Sequence, residues 1–235
     1  MKKFLAMVLA LIMALSLVAC GQQGGDAQQG DDSASGDKVI KIGVFEPQSG
    51  DNGAGGKQEI LGMQYANKMI PTVTIGGEEY KVELVYAENA SSNDKAPTAA
   101  HTLISQGVSV GLGSYGPGVS IAAGPTFGNA GIPAIGVTCT NPNVTAGNDY
   151  YFRICFLDPF QGTVLANFSM DKFQAKTAYC LGEAGNEYDQ GLIAFFKQAF
   201  EAAGGKVITD SFPTNNSDFN SYLNKAKDQG ADVIF

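Results

Sequence analysis

The chain has 235 residues, of which 44% are hydrophobic and 16% are charged, a balance typical of a globular protein with a buried core. This length allows one or two domains. The formal net charge is −8 and the sequence contains no run of Lys or Arg. Both features argue against nucleic acid and anionic lipid headgroups as binding partners.

The first 37 residues differ in composition from the rest of the chain. Lys2 and Lys3 precede an uncharged apolar run, residues 4–18, which is shorter than the roughly 20 residues of a membrane span and is typical of a secretory signal. The run ends in Leu-Val-Ala-Cys, which resembles a bacterial lipobox. We therefore predict a lipoprotein signal peptide over residues 1–20, with Cys20 as the lipidated residue. A plain signal peptide followed by an incidental cysteine is the alternative.

Residues 21–37 are rich in Gly, Gln, Asp and Ser and contain no aliphatic side chain larger than Ala. Such a segment cannot bury enough apolar surface to offset its chain entropy, so we expect a disordered tether. Together, the signal peptide, the lipid and the tether predict a folded part that lies outside the cytoplasmic membrane and is anchored to it.

After the tether, predicted strands alternate with predicted helices. A period of two in hydrophobicity favours strands, whereas apolar residues three or four apart favour helices. In chain order we expect a strand at residues 39–45, a helix that carries Ile60, Met63, Ala66 and Ile70, a hairpin of residues 72–75 and 80–86 around Gly76-Gly77, a helix that starts near Pro97, and strands at residues 108–112 and 132–137.

A recurring join indicates a wound parallel sheet. Four times a helical segment ends at a glycine that leads into an apolar run, at Gly107, Gly131, Gly205 and Gly230. Glycine adopts the left-handed conformation at a helix end without steric cost, so each helix can turn back sharply into the sheet. We predict an α/β protein with two doubly wound parallel-sheet lobes and a cleft between them.

The predicted lobe boundary lies between residues 150 and 151. The N-terminal lobe spans residues 38–150 and the C-terminal lobe spans residues 151–235. Strands at 177–181, 207–212 and 233–235 are too few for a free-standing α/β domain. We therefore expect the second lobe to be incomplete.

The carboxyl ends of parallel strands meet at one edge of the sheet, where ligands bind in α/β proteins. The loops at this edge hold hydroxyls, backbone amides and aromatic rings, which is what a small-molecule site requires. The candidates are Ser49, Ser114, Tyr115, Thr138, Thr140 and Tyr188.

Two enzymatic interpretations are disfavoured by missing partners. Gly111, Gly113 and Gly116 form a G-x-G-x-x-G pattern, but the acidic residue that a dinucleotide site needs on the next strand is absent. Ser120 faintly resembles a nucleophile elbow, but the only histidine, His101, precedes it and lies mid-helix. General acid–base chemistry therefore has few candidate groups, and we predict that the protein is not an enzyme.

The cysteines do not indicate a metal or cofactor site. Once the signal peptide is cleaved and Cys20 is lipidated, Cys139, Cys155 and Cys180 remain, an odd number that leaves at least one unpaired within the chain. A Cys139–Cys155 bridge stays open. No C-x-x-C or Cys/His spacing is present, so we predict neither metal nor cofactor.

From Val39 onward the chain resembles the type I periplasmic binding proteins, specifically the branched-chain amino-acid (Leu/Ile/Val) binding lipoproteins of ABC importers. The order and spacing of several motifs carry this resemblance. They are I-K-I-G-V-F-E-P-Q-S-G at 40–50 with Gly62, G-S-Y-G-P-G-V-S-I-A-A-G-P at 113–125, A-G-I-P-A-I at 130–135, F-R-I-C-F-L-D-P-F-Q-G at 152–162 and N-E-Y-D-Q-G at 186–191.

The resemblance implies which residues hold the ligand. The loop with Thr138, Cys139 and Thr140 would bind the ammonium and carboxylate of an amino acid, and Tyr188 of the second lobe would close over it. The loop of Ser114, Tyr115, Gly116, Pro117 and Gly118 would form the other side. An acidic ammonium partner of the family would lie beyond Phe235.

Two positions depart from the family pattern. Pro117 stands where the family has a carboxylate-gripping serine, and it offers neither a hydroxyl nor an N–H. Gly116 or Gly118 would then supply the amide. Gly55 stands where an aromatic residue walls the pocket, which predicts more room there. Both departures argue against a plain leucine-type ligand.

The expected function is that of an extracytoplasmic solute-binding component of an ABC importer. It would capture an amino acid or similar small polar ligand between its lobes and deliver it to a membrane permease. The sensing domain of a signalling receptor is the alternative, and an α/β-hydrolase-like enzyme is a weaker one.

Overall fold

Six strands form the first sheet of the computed structural model, which describes residues 38–235. Their spatial order is β2-β3-β1-β4-β5-β6, and every neighbouring pair is parallel except the β2–β3 hairpin. The strands are β1 Val39–Glu46, β2 Thr72–Ile75, β3 Glu78–Glu88, β4 Val110–Leu112, β5 Ala134–Gly136 and β6 Tyr151–Arg153.

Helices cover both faces of this sheet because its central strands are apolar on both sides. They are α1 Gly53–Met69, α2 Ala96–Ser105 and α3 Pro117–Asn129. Neighbouring residues of β1 point to opposite faces. Val44 packs with Ile60 and Met63 of α1, whereas Phe45 packs edge-on against Phe127 of α3 in the larger core that α2 also joins.

The second sheet has three parallel strands in the order β8-β7-β9. Its strands are β7 Thr177–Glu183, β8 Lys206–Phe212 and β9 Val233–Ile234, and its helices are α4 Asp158–Phe173, α5 Glu187–Ala202 and α6 Asn220–Asp228.

Alternate residues of β7 also face two sides of the second sheet. Cys180 belongs to an apolar core in which the rings of Phe196 and Phe235 stack at 4.0 Å. Tyr179 points to the other side and donates a hydrogen bond to Asp210, which Lys225 of α6 also contacts.

Most of the expected elements are present with small shifts in their bounds: β1, β3, β7 and β8 are longer than predicted, and β4, β5 and β9 are shorter. The hairpin turns at Gly76 and Gly77, whose φ angles are 61° and 84°. Gly107, Gly131 and Gly230 have positive φ as predicted, but at the remaining join the positive φ of 92° belongs to Gly204 instead of Gly205.

The first sheet extends beyond the boundary that the sequence suggested. β6 pairs with β5 in the first sheet, so residues 151–153 lie there and not in the second sheet. The predicted signal peptide, the predicted lipidation site Cys20 and the predicted tether lie outside the described residues. None of the helices in residues 38–235 combines the length and apolarity that crossing a membrane requires.

Candidate functional site

A cavity of about 420 Å³ lies where the loops of the two sheets face each other. The first sheet contributes the loops after β4 and β5, and the second lobe contributes the starts of α4 and α5. Its lining combines hydroxyls, amides and three aromatic rings, and no Lys or Arg is among the described residues that form it. The lining residues are Asn52, Tyr115, Gly116, Pro117, Thr138, Thr140, Cys155, Phe156, Gln161, Asn186 and Tyr188.

Arg153 holds the loop that follows β5, residues 138–145, which carries the Thr138 and Thr140 side chains and is called the hydroxyl loop below. Its guanidinium donates to the backbone oxygens of Cys139, Asn141 and Pro142 at 3.1, 2.7 and 3.1 Å, and to Oγ1 of Thr145 at 2.6 Å. Arginine suits this role because its fixed fork of donors reaches several acceptors at once. The loop is therefore positioned from β6, which the sheet places directly beside β5.

Two carboxyl groups lie behind the Thr138 side of the cavity. The Thr138 hydroxyl donates to Oε1 of Glu59, which projects from α1. Glu46, at the end of β1, is 1% exposed, and its Oε2 accepts from the backbone N–H of Tyr115 at 2.7 Å.

The carboxyl groups of Glu46 and Glu59 are close neighbours, and two carboxyl groups that share a buried site favour a proton on one of them. Burial above all, followed by the hydrogen bond and negative charge of Glu59, raises the pKa of Glu46 to about 10. Glu46 therefore carries the proton at neutral pH. Oε1 of Glu46 and Oε2 of Glu59 are buried and have no standard hydrogen-bond partner. A proton shared between the two carboxyl groups would give these buried oxygens a hydrogen bond.

Asp158 lies behind the Thr140 side of the cavity. Thr140 is 7% exposed and Asp158 is fully buried at the start of α4. Neither the Thr140 hydroxyl nor either Asp158 carboxyl oxygen has a hydrogen-bond partner of good geometry among the described residues. Burial raises the pKa of Asp158, and the nearby Thr140 hydroxyl and the charge of Arg153 oppose that rise.

The second lobe adds an aromatic hydroxyl with a fixed partner. The Tyr188 hydroxyl accepts from Nε2 of Gln161 at 2.8 Å. Asn186 caps α5 by accepting from the backbone N–H groups of Tyr188 and Asp189 at 3.0 and 3.3 Å. Tyr188 is therefore held at a helix start and by a neighbouring side chain.

Of the candidate binding residues named from the sequence, six line this cavity together, and five, Ser49, Gly55, Ser114, Gly118 and Cys139, do not. The six are Tyr115, Gly116, Pro117, Thr138, Thr140 and Tyr188. Ser114 is buried and bonded to Asn89. Cys139 is fully buried within the first core, and only its backbone oxygen takes part, by binding Arg153. Gly118 lies in a neighbouring cavity.

Gly55 is not among the lining residues. The ring of Tyr115 lies over it, so that a Cβ at Gly55 would stand 2.6 Å from two ring carbons. The sequence predicted extra space at Gly55, where the family has an aromatic side chain. In the structure the ring of Tyr115, from the loop after β4, fills that space.

Beside the cavity, the two lobes contact each other through Glu187 of α5. Its Oε1 accepts from Nδ2 of Asn93 at 3.0 Å, and its backbone oxygen accepts from Nδ2 of Asn141 at 3.2 Å. Its Oε2 lies against Gly118, where an added Cβ would stand only 2.7 Å away. This contact borders a second, strongly polar cavity of about 430 Å³.

Several site residues were missed in the sequence. Glu46 and Asp158 lie within motifs at 40–50 and 152–162 and Glu59 lies in none, but the sequence assigned no role to any of the three. Their closeness to the hydroxyl loop depends on how the strands are ordered. Glu46 could have been noticed, since it stands at the carboxyl end of a predicted strand. Gln161 lies in the F-Q-G run that follows Arg153, but its partnership with Tyr188 requires the packing of α4 against α5.

The groups that the enzymatic interpretations need are scattered. His101 is exposed on α2, and the Ser120 hydroxyl is buried and donates to the backbone oxygen of Gly116 at 3.3 Å. Cys139, Cys155 and Cys180 are free thiols. Residues 38–235 contain no group of three or more His, Cys, Asp or Glu side chains able to hold a metal ion.

The comparisons with known proteins agree on one family. A family model described as periplasmic binding protein matches residues 39–235. Leu/Ile/Val-binding protein homolog 3 from Brucella melitensis is 30% identical over 199 residues, which cover 83% of this chain and 53% of that protein. The chain thus spans about half the length of the curated relatives it matches.

Solved structures show the same likeness. The leucine binding protein LivK from Thermotoga maritima has a TM-score of 0.78 and 31% identity, with 83% of this chain and 55% of that chain covered. The branched-chain amino acid transporter substrate binding protein LivJ from Streptococcus pneumoniae, in complex with isoleucine, has a TM-score of 0.73 and 29% identity, with 84% and 56% covered.

Proposed function

Because this chain belongs to the periplasmic binding protein family, we propose that it is the solute-binding component of an ABC importer. It captures a small polar ligand of amino-acid size between its two lobes and presents it to a permease in the membrane. The matched region covers about half of the relatives' length. The proposal therefore concerns the whole protein and not only these 235 residues.

One observation carries the proposal. The cavity draws its walls from both lobes, with Thr138 and Thr140 on the first and Gln161 and Tyr188 on the second. A ligand that contacts both walls stabilises the conformation in which the lobes are close, because only that conformation makes both sets of contacts. LivJ, with isoleucine bound, indicates that this fold accommodates a ligand of that size.

The test is ligand-dependent thermal stability of the purified protein. A panel of amino acids, amides, amines and short organic acids is added, and a ligand at about 100 times its Kd should stabilise the protein by about 2.7 kcal/mol. Replacement of Tyr188 by Ala should weaken the response. Replacement of the exposed Tyr65 of α1 by Ala is the matched control and should not. A panel in which no compound raises the melting temperature contradicts the proposal.

We further propose that the protein acts outside the cytoplasmic membrane and is held there by a lipid on Cys20. The support is the charged start, the apolar run and the Leu-Val-Ala-Cys ending of residues 1–20. We propose that the ligand is bound without turnover. Chemical change of a bound ligand during incubation with the purified protein would contradict that part.

A further inference from the structure

The hydrogen-bonding state of Thr138 determines what it offers to a ligand. A hydroxyl has one proton and two lone pairs. The Thr138 proton is donated to Glu59, so the oxygen presents lone pairs to the cavity that it lines. Thr138 therefore accepts from a ligand N–H or O–H group and has no proton left for a ligand carboxylate.

The Thr140 side of the cavity has the same polarity. Thr140 is 93% buried and lines the cavity, and its hydroxyl has no hydrogen bond of good geometry among the described residues. The fully buried Asp158 carboxyl lies beside it, close enough for the hydroxyl to lower the pKa of Asp158, so the Thr140 proton is directed toward Asp158 and not toward the cavity. A buried polar atom without a partner is costly, and a ligand donor at Thr140 removes that cost. A ligand anion would instead face a second carboxyl group.

The cationic groups that would bind a ligand carboxylate are absent from the described lining or are occupied elsewhere. The described lining contains no Lys or Arg. The guanidinium of the nearby Arg153 already donates hydrogen bonds to four acceptors of the hydroxyl loop. Pro117 has no N–H to offer. The start of α3, which favours a negative charge, already has the Glu187 carboxylate of the second lobe against Gly118.

The rest of the cavity suits the apolar body of a cation. The rings of Tyr115, Phe156 and Tyr188 line it. Aromatic faces attract ammonium groups through their quadrupole as well as packing against aliphatic carbons. The overall charge of −8 also favours the approach of a cation over that of an anion.

We propose that the cavity selects an organic amine, or an amino amide, that directs its N–H groups at Thr138 and Thr140 and carries no free carboxylate. The inference rests on the proposed solute-binding function and names the substrate class of the same site. It differs from amino-acid recognition in one respect: the described lining offers a ligand carboxylate neither a cationic side chain nor an N–H at residue 117.

The test uses four probes built on one carbon skeleton: 3-methylbutylamine, leucinamide, leucine and 4-methylpentanoate. Their dissociation constants for the purified protein are measured by calorimetry at pH 7. The amine and the amide should bind at least about tenfold more tightly than leucine, which is the factor that one unpaired buried group of about 1.4 kcal/mol produces. The acid should bind most weakly.

The outcomes separate this inference from the proposed function. Binding of leucine or 4-methylpentanoate as tight as that of the amine overturns the selection against carboxylates and leaves solute binding intact. Absence of binding by all four probes, together with no response to the wider panel, contradicts both.

A pair of variants tests the role given to Glu59. In Glu59→Gln the negative charge is lost, and the amide can donate to Thr138 as well as accept from it, so the Thr138 proton is free to turn toward the cavity. The affinity for 3-methylbutylamine should therefore fall about tenfold while that for 4-methylpentanoate rises. Glu83→Gln, on an exposed position of β3, is the matched control and should leave both constants unchanged. A general loss of folding in Glu59→Gln would weaken all probes equally, so an unchanged order of affinities overturns the role of Glu59.

Discussion

Replacing Glu46 by glutamine should change how the stability of the protein depends on pH. In the folded protein the pKa of Glu46 is raised from 4.5 to about 10 by burial and by Glu59. Between these two values the folded state holds a proton on Glu46 that the unfolded state has released. Stability therefore falls as pH rises, because the unfolded state binds fewer protons.

The magnitude follows from the linkage relation. One proton of difference changes the free energy of unfolding by about 1.4 kcal/mol per pH unit, or about 2.7 kcal/mol between pH 5.5 and 7.5. Glutamine reproduces the shape of the protonated acid, can accept from the N–H of Tyr115 and donates to Glu59, but it does not titrate. Glu46→Gln should thus be similar to the parent in stability at low pH and increasingly more stable than it toward pH 8.5.

Urea unfolding at pH 5.5, 6.5, 7.5 and 8.5 gives the free energies of unfolding for both proteins. The difference between the Glu46→Gln variant and the parent should grow by about 1.4 kcal/mol per pH unit. Glu83→Gln, which changes an exposed glutamate of β3, should run parallel to the parent. Parallel profiles for Glu46→Gln as well would show that Glu46 is ionised in the folded protein, and the argument for its buried proton would be refuted.

Three further predictions concern other parts of the chain. Asp210→Asn should cost about 1 kcal/mol at pH 7 in urea unfolding. The Lys225 ammonium is the main cause that lowers the pKa of Asp210 to about 2 in the folded protein. The stabilisation by Asp210 is therefore fully present above the pKa of an unfolded Asp and is lost as pH falls toward 2. The loss of stability in Asp210→Asn should accordingly be smaller at pH 3 than at pH 7. Gly118→Ala should weaken ligand binding, measured by calorimetry, since its Cβ would stand 2.7 Å from Oε2 of Glu187 and displace the carboxylate that accepts from Asn93 across the lobes. Cys20→Ala should release the protein from the membrane fraction of its host, as seen by immunoblot.

Each of these predictions has an opposite result that counts against it. An Asp210→Asn cost that is as large at pH 3 as at pH 7 would mean that the hydrogen bonds matter and the charge does not. Unchanged ligand affinity in Gly118→Ala would show that Glu187 moves aside without consequence for closure. Retention of Cys20→Ala in washed membranes would contradict the lipid anchor.

Much of the fold could be predicted because its causes are local. The Gly76-Gly77 turn, the helix that starts beside Pro97 and the join at Gly107 each depend on the conformations that a few neighbouring residues allow. The order of polar loops along the chain also located Thr138 and Tyr188, since both follow or begin elements at the carboxyl edge of a parallel sheet. Gly205 shows the limit of this reasoning, because either glycine of a pair can adopt the positive φ.

The sequence by itself therefore determined the alternation of strands and helices, the parallel sheets and the loops that face the cavity. Only the tertiary structure decided what stands behind those loops. Strand order brings Glu46 to the loop after β4, α1 aims Glu59 at Thr138, and the crossing into the second lobe buries Asp158 beside Thr140. The physical reason is that a side chain's charge and hydrogen bonds depend on neighbours distant in sequence, whereas backbone propensity depends on neighbours a few residues away.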